Sequence, residues 1–262
     1  MDKKKALEYW KPFDTAEYKR FTKQTDKLHK LSIVYPYYVN VEKYADGILD
    51  NFKYYEAMPY NLLEKIHFIV VDDCSPVFID FDNVNLNLTL IKIDKDIRWN
   101  SGGAKNLGVF CCETSRIIIA DSDIIFPVDT LEACMREESI PDDEFFVFDR
   151  FSLDKNMQWY KDGVHPNCFF MTKQSYLDLH GYNEDFCGYY GDDLYFNQLL
   201  HIKRKIFNCG ENILNNNSSM ANNQVRHVDN EVWEMLEANG IMQSLTSLRF
   251  PWHFVKRYML HK

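Results

Sequence analysis

Four short apolar runs rich in β-branched residues restrict this chain more than any other feature. They are "KLSIVYPYY" (30–38), "KIHFIVVDD" (65–73), "LTLIKI" (88–93) and "RIIIA" (116–120). Runs of this length that are nearly all apolar are expected of strands buried on both faces. Between the first two, Tyr44, Ile48, Phe52 and Tyr55 recur at three- and four-residue spacing, the period of an amphipathic helix. Residues 77–87 read as a loop or short helix. "SGGAKNLGVFCCET" (101–114) opens with glycines and reads as a turn leading into a helix. Strand–helix alternation of this kind predicts an α/β fold with a parallel sheet. Ligands of such sheets bind beyond the carboxyl ends of the strands. Three of the runs end in polar clusters, "PYYVN", "DDCSP" and "DSD", so these clusters are expected at one rim.

The second half reads differently. "EFFVFDRF" (144–151) and "NCFFMT" (167–172) are expected strands, and "KQSYLDLHGY" (173–182) a short helix ended by Gly181. "DDLYFNQLLHIKRK" (192–205) places acids first and bases last, which complements a helix macrodipole. "NILNNNSSMANNQ" (212–224) is polar and Asn-rich and reads as a mobile loop. "LRFPWHFVKRYMLHK" (248–262) interleaves bases with aromatics; such a tail either lies on an anionic membrane surface or packs on its own domain. With no internal repeat and no clear linker, one domain is expected over 1–262. Its first half would be 28–127, its second half 128–230, and 231–262 a C-terminal helical tail.

Composition narrows the function. The 262 residues carry a formal net charge of -9, which argues against a nucleic-acid surface. An acidic protein that binds a phosphate-bearing ligand needs a cation to help. Seven scattered cysteines without a CxxC pair argue against a disulfide framework and a cysteine zinc site. The first residues lack the apolar stretch of a signal peptide, and no apolar run is long enough to span a membrane. A cytoplasmic setting, with or without membrane association, is the expectation. The sequons at Asn87 and Asn217 are then chance matches.

In "RIIIADSD", Asp121 and Asp123 are spaced to project to the same side of an extended segment. Two carboxylates so close repel, and a hard divalent cation relieves the repulsion through oxygen ligands. The alternative is an ordinary Asx turn or helix cap. A sugar-phosphate nucleotidyltransferase is disfavoured, because "PYYVNVEKY" after the first strand lacks the glycines of a triphosphate-cradling loop.

"SIVYPYY", "FIVVDDCSP", "SGGAKNLG" and "IIIADSD", followed by "GYNEDFCGYYGDDLYF", occur in the order and approximate spacing of a known family. The chain resembles the nucleotide-sugar glycosyltransferases of the GT-A fold, family 2-like, over roughly residues 30–230. The last segment is similar to the galactosyltransferase-like acceptor-side motif Gly-aromatic-x-Gly-(Glu/Asp)-Asp. The resemblance implies a single-domain GT-A (Rossmann-like) α/β fold with a mixed, mainly parallel sheet. It implies a hexosyltransferase-type enzyme that is metal-dependent and inverting. The donor would be a nucleotide diphosphate sugar, most readily a UDP-sugar, and the acceptor a hydroxyl of a glycan or glycolipid. A retaining enzyme of the same fold and a non-catalytic sugar-binding module are the alternatives.

The roles the resemblance implies follow the motifs. Pro36 and Tyr37 would lie beside the nucleotide base, with Asp72 accepting a hydrogen bond from it and Asp73 holding the rim loops. Gly103 and Lys105 would lie near the ribose and diphosphate. Asp121, Ser122 and Asp123 would form the donor and metal motif, with Asp123 on the Mn²⁺ or Mg²⁺ ion and Asp121 on the ribose or a metal-bound water. His227, in "QVRHVDN", would complete the metal site as residues 212–224 close over the donor. Asp193 would be the general base, Asp192 would hydrogen-bond the acceptor, and Tyr189 with Tyr190 would offer a stacking face to a sugar. Trp159, Tyr160 and His165 are expected to help shape specificity for the sugar or the acceptor.

Overall fold

The computed structural model describes residues 29–97, 99–136, 140–187, 191–216, 248 and 250–262. The four apolar runs form strands β1 (Leu31–Tyr37), β2 (Ile66–Asp72), β3 (Leu88–Ile93) and β4 (Arg116–Ile119). β1 pairs in parallel with β2 and β4, and β2 with β3. Every residue of β1 and β2 is buried, as a strand covered on both faces requires.

The covering layers come from the helices. α1 (Glu42–Glu56) and the one-turn α2 (Tyr60–Leu63) lie on one face. There Ile48, Phe52 and Tyr55 of α1 pack with Ile33, Tyr35, Phe68 and Val70 of the sheet. α3 (Ser101–Cys111) covers the other face, where Ala104 and Leu107 meet Val34, Ile69 and Val71. Neighbouring strand residues thus serve opposite faces, as the two-residue period demands. Each such buried side chain contributes about 1.5–3 kcal/mol.

The second half adds β5 (Ile124–Ile125), α4 (Val128–Arg136), β6 (Glu144–Leu153), β7 (Trp159–Thr172), α5 (Lys173–Asp178), α6 (Asp192–Lys203), β8 (Lys205–Asn215) and β9 (Trp252–Tyr258). All the described strands join one nine-stranded mixed sheet in the order β5-β8-β6-β7-β4-β1-β2-β3-β9. The parallel block is β4-β1-β2-β3; beyond it the pairing is antiparallel except between β6 and β8.

Three expectations change. β7 begins eight residues before the apolar run that marked it, because "WYKDGVHP" pairs with β6 as an exposed ribbon and has no apolar pattern to read. Residues 212–215, expected in a mobile loop, close β8, where Ile213 is buried and Thr130 Oγ1 donates to the Asn212 carbonyl at 2.6 Å. Residues 252–258, expected in a helical tail, form the antiparallel edge strand β9 beside β3. Its bases pair with acids of the same domain: His253 with Asp94 at 2.6 Å, Lys256 with Asp82 at 2.6 Å and Arg257 with Glu113 at 3.1 Å. The tail therefore packs on its own domain. Asn87 is buried and accepts the Leu260 amide, so it has no room for a glycan. All seven cysteines are free, and no described helix is long and apolar enough to cross a membrane.

Candidate donor and metal site

The "DSD" segment leaves β4 as a turn, closed by the Ile124 amide donating to the Asp121 carbonyl at 3.2 Å. Extended alternation is therefore not what brings Asp121 and Asp123 together; the turn is. Its backbone is fixed from two sides. Asn51 Nδ2 of α1 donates to the Ser122 carbonyl at 2.7 Å, and the Asn216 amide donates to the Asp123 carbonyl at 2.6 Å. Asp121, Asp123 and His165 of β7 bring ligand atoms within 4.8 Å of one another.

Opposed environments separate the two aspartates. Burial alone would raise the Asp121 carboxyl, but the Lys105 ammonium, His165 and hydrogen bonds from Lys105 and Asn167 hold it below the usual carboxylate range. Asp123 is pushed above that range, first by burial and then by the Asp121 charge. A carboxyl raised by a neighbour's charge is relieved by a cation bound between the two. Burial pushes His165 down to about 4, so the ring is neutral at neutral pH and offers a lone pair. His165 Nδ1 accepts the Asn167 amide at 3.1 Å. Coordination through Nε2 would move the ring proton to Nδ1 and break that contact.

Lys105, on the first turns of α3, reaches Asp121 Oδ1 at 2.7 Å and lies 5.2 Å from the Tyr182 ring centroid. Its side chain is 1% exposed, against 27% for Asp121. The glycines before it are there for close approach. A Cβ on Gly102 would stand 2.9 Å from Asp192 Oδ2 and 2.9 Å from Tyr182 Cβ, and one on Gly103 would collide with the Asn100 side chain. "GYNEDF" locks this helix: Asn106 Nδ2 donates to the Tyr182 carbonyl and Glu184 Oε1, both at 2.9 Å.

The paired acids of "GYYGDD" open α6. Gly191 precedes them at φ 122°, a conformation other residues rarely adopt, which explains the second glycine of "GYYGDD". Asp192 is buried and accepts Trp99 Nε1–H at 2.9 Å; burial holds it above the usual carboxylate range, opposed by that bond and by Lys105. Asp193 is half-buried. Asn167 Nδ2 lies 3.2 Å from Asp121 Oδ2 and 3.4 Å from Asp193 Oδ2, so one amide links the aspartate turn to the start of α6.

Other expected site residues are more enclosed than their assigned roles suggest. Pro36 and Tyr37 are buried in β1; Tyr37 hydrogen-bonds Asp72 and packs on Phe81, with centroids 6.2 Å apart. Asp72 also accepts the Ser75 amide at 2.6 Å and pairs with Lys92 at 3.0 Å. Asp73 accepts Asn100 Nδ2 at 2.9 Å, tying the β2 loop to the start of α3. Tyr189, Tyr190 and His227 lie outside the described residues.

Burial pushes Asp73 up to about 7, with Asp72 and Asp96 adding to the rise and the Asn100 hydrogen bond opposing it. Between about pH 4 and 7 the folded state therefore holds a proton that the unfolded state lacks, and stability falls as pH rises through that window. Asp73→Asn keeps the acceptor for Asn100 and removes the charge. The variant is expected to match the wild type near pH 4–5 and to exceed it at pH 8 by on the order of a few kcal/mol. Urea midpoints at the two pH values test this; an equal difference at both would overturn it.

Sequence reasoning missed two members of this cluster. His165 was read only as a specificity residue and Asn167 only as the start of a strand. Both sit where β7 leaves its exposed ribbon for the core, a change visible in the sequence only as "HPN" before an apolar run.

No family model and no curated protein sequence matches the chain. Solved structures do. S. aureus TarS 1–349 in complex with UDP-GlcNAc superposes with a TM-score of 0.58 at 14% identity, over 79% of this chain and 64% of that one. The same TarS segment in complex with UDP gives 0.51 at 15% identity, over 72% and 58%. S. aureus TarS itself gives 0.50 at 16% identity, over 71% and 36%. The chain thus spans less than two thirds of each of these structures. At such identities the likeness is one of fold, and the nine-stranded mixed sheet flanked by helices is the GT-A architecture that the motif order implied.

Proposed function

We propose that the chain is a metal-dependent, inverting glycosyltransferase. It moves a sugar from a UDP-sugar to a hydroxyl of a glycan or glycolipid. The observation that carries this reading is the meeting of Asp121, Asp123 and His165 in one cluster, joined through Asn167 to Asp193. The fold shared with TarS in complex with UDP-GlcNAc supports the donor class. Residues 28–127 would form the donor half and 128–230 the acceptor half.

Two carboxylates and a neutral imidazole fit Mn²⁺, and fit Mg²⁺ less well because of the nitrogen ligand. The carboxyl of Asp123, raised first by desolvation and then by its neighbour's charge, supports the same fit. Asp121 already gives Oδ1 to Lys105 and Oδ2 to Asn167, which leaves Asp123 as the more available direct ligand. His165 would supply a nitrogen ligand to this ion; His227 lies outside the described residues. When bound, the ion would neutralise charge on the departing diphosphate.

The chain's own groups would do the rest. Asp193 takes the proton of the acceptor hydroxyl as its oxygen attacks the anomeric carbon. The new C–O bond forms on the face opposite the bond that breaks, and the nucleoside diphosphate leaves with that bond's electron pair. Asp192 would orient the acceptor, and Lys105 holds Asp121 in register.

Thermal unfolding with UDP, GDP, CDP and dTDP, each with Mn²⁺ and with EDTA, tests the reading. A ligand at a hundred times its dissociation constant adds about 2.7 kcal/mol. Stabilisation by UDP that requires Mn²⁺ and disappears in Asp123→Ala is the expected result. No stabilisation by any nucleotide would leave only the fold standing. The anomeric proton of the product, read by NMR, separates inversion from retention.

A further inference from the structure

At the end of the sheet opposite the aspartate turn, three side chains close on one point. His29 lies just before β1, His67 is the second residue of β2, and Glu113 stands between α3 and β4. Glu113 Oε2 is 3.8 Å from His29 Nδ1 and 3.7 Å from His67 Nδ1. The His67 side chain is 0% exposed, and those of His29 and Glu113 are each 5% exposed. The two imidazoles stack with centroids 5.0 Å apart.

Both Nδ1 atoms are buried and have no hydrogen-bond partner among the described residues. Each buried polar atom left so costs on the order of 1–3 kcal/mol. The gaps to Glu113 are too long for hydrogen bonds. They are near those of a shared ion, since nitrogen and oxygen ligands about 2.0–2.2 Å from a tetrahedral zinc lie about 3.3–3.6 Å apart.

The surroundings prepare ligands. His67 Nε2 lies 2.8 Å from Thr89 Oγ1. With Nε2–H donating to that hydroxyl, Nδ1 keeps its lone pair turned toward Glu113, the outer-shell arrangement that fixes a ligating imidazole. Arg257 grips Glu113 from the other side, Nη1 to Oε1 at 3.1 Å and Nη2 to Oε2 at 3.4 Å, and so sets the carboxylate plane.

We propose that His29, His67 and Glu113 bind one divalent transition-metal ion of the zinc class, through two imidazole nitrogens and one carboxylate oxygen, with water in the fourth position. The ion clamps the entry to β1, the start of β2 and the approach to β4 at the base of the sheet. Its nitrogen-rich ligand set differs from that of the aspartate turn, and the proposal stands independently of the transferase reading.

The test uses the full chain, stripped with chelator and carrying Asp123→Asn to disable the aspartate site, titrated calorimetrically with Zn²⁺ alone. One equivalent is expected to bind. Adding His29→Gln or Glu113→Gln is expected to weaken binding at least about tenfold. Co²⁺ in place of Zn²⁺ should give visible d–d bands without thiolate charge transfer. Far-UV circular dichroism checks each fold. His29→Gln decides the matter if Glu113→Gln does not fold, since Glu113 also holds Arg257. Absent binding, binding indifferent to the substitutions, or a thiolate band from the cysteines would each overturn the site.

Discussion

Asp193→Asn is expected to slow sugar transfer by about 10²–10⁴-fold, the usual contribution of a general base, while nucleotide binding persists. The substitution is nearly isosteric. It keeps the oxygen that accepts the Leu194 amide at 2.8 Å, so the start of α6 stays formed. What it removes is the ability to take a proton. Two measurements check this: initial transfer rates with the donor identified by thermal unfolding, and the Mn²⁺-dependent unfolding shift with that nucleotide. An unchanged rate would remove Asp193 from the chemistry. Loss of the shift would make it a donor-binding residue instead.

Lys105→Met is expected to cost about 3 kcal/mol of stability, the lower end for one partner lost from a buried pair. Lys105 is 1% exposed, but Asp121 at 27% recovers some solvation. The methionine nearly preserves side-chain length, so the loss reports the charge. Asp121 would be left with Asn167 as its remaining near partner at 3.2 Å and would sit closer in character to Asp123. The double variant Lys105→Met/Asp121→Asn is expected to recover most of the loss, because neither charge is then stranded. Urea midpoints of the four proteins decide it. Equal losses in the single and double variants would assign the effect to packing.

The first half was legible because each of its strands is buried on both faces and so announces itself in composition. β3 was read at its true bounds, and β1, β2 and β4 to within a residue or two. The motif order then gave the architecture. The second half was less legible where strands are half exposed. "WYKDGVHP" and "KIFNCGENILN" alternate too irregularly to reveal pairing that depends on neighbours distant in sequence. Asp121, Asp123, Asp192 and Asp193 stand out in the sequence because paired acids do. His165 and Asn167 do not, since one imidazole or one amide carries no pattern until a strand brings it to a carboxylate. The His29–His67–Glu113 cluster is the extreme case, drawn from three separate segments with no shared motif.

β9 has a consequence for how the chain comes to be folded. β3 is nearly all apolar, and its outer edge is satisfied only by residues 252–258, which are translated some 160 positions later. During synthesis the first half can assemble its core while that edge still shows a row of unpaired backbone amides and carbonyls. Such an edge is a template for any other strand in reach. The nascent protein therefore passes through a sticky stage that ends only when the last strand arrives, and shortening the chain before Trp252 would make that stage permanent.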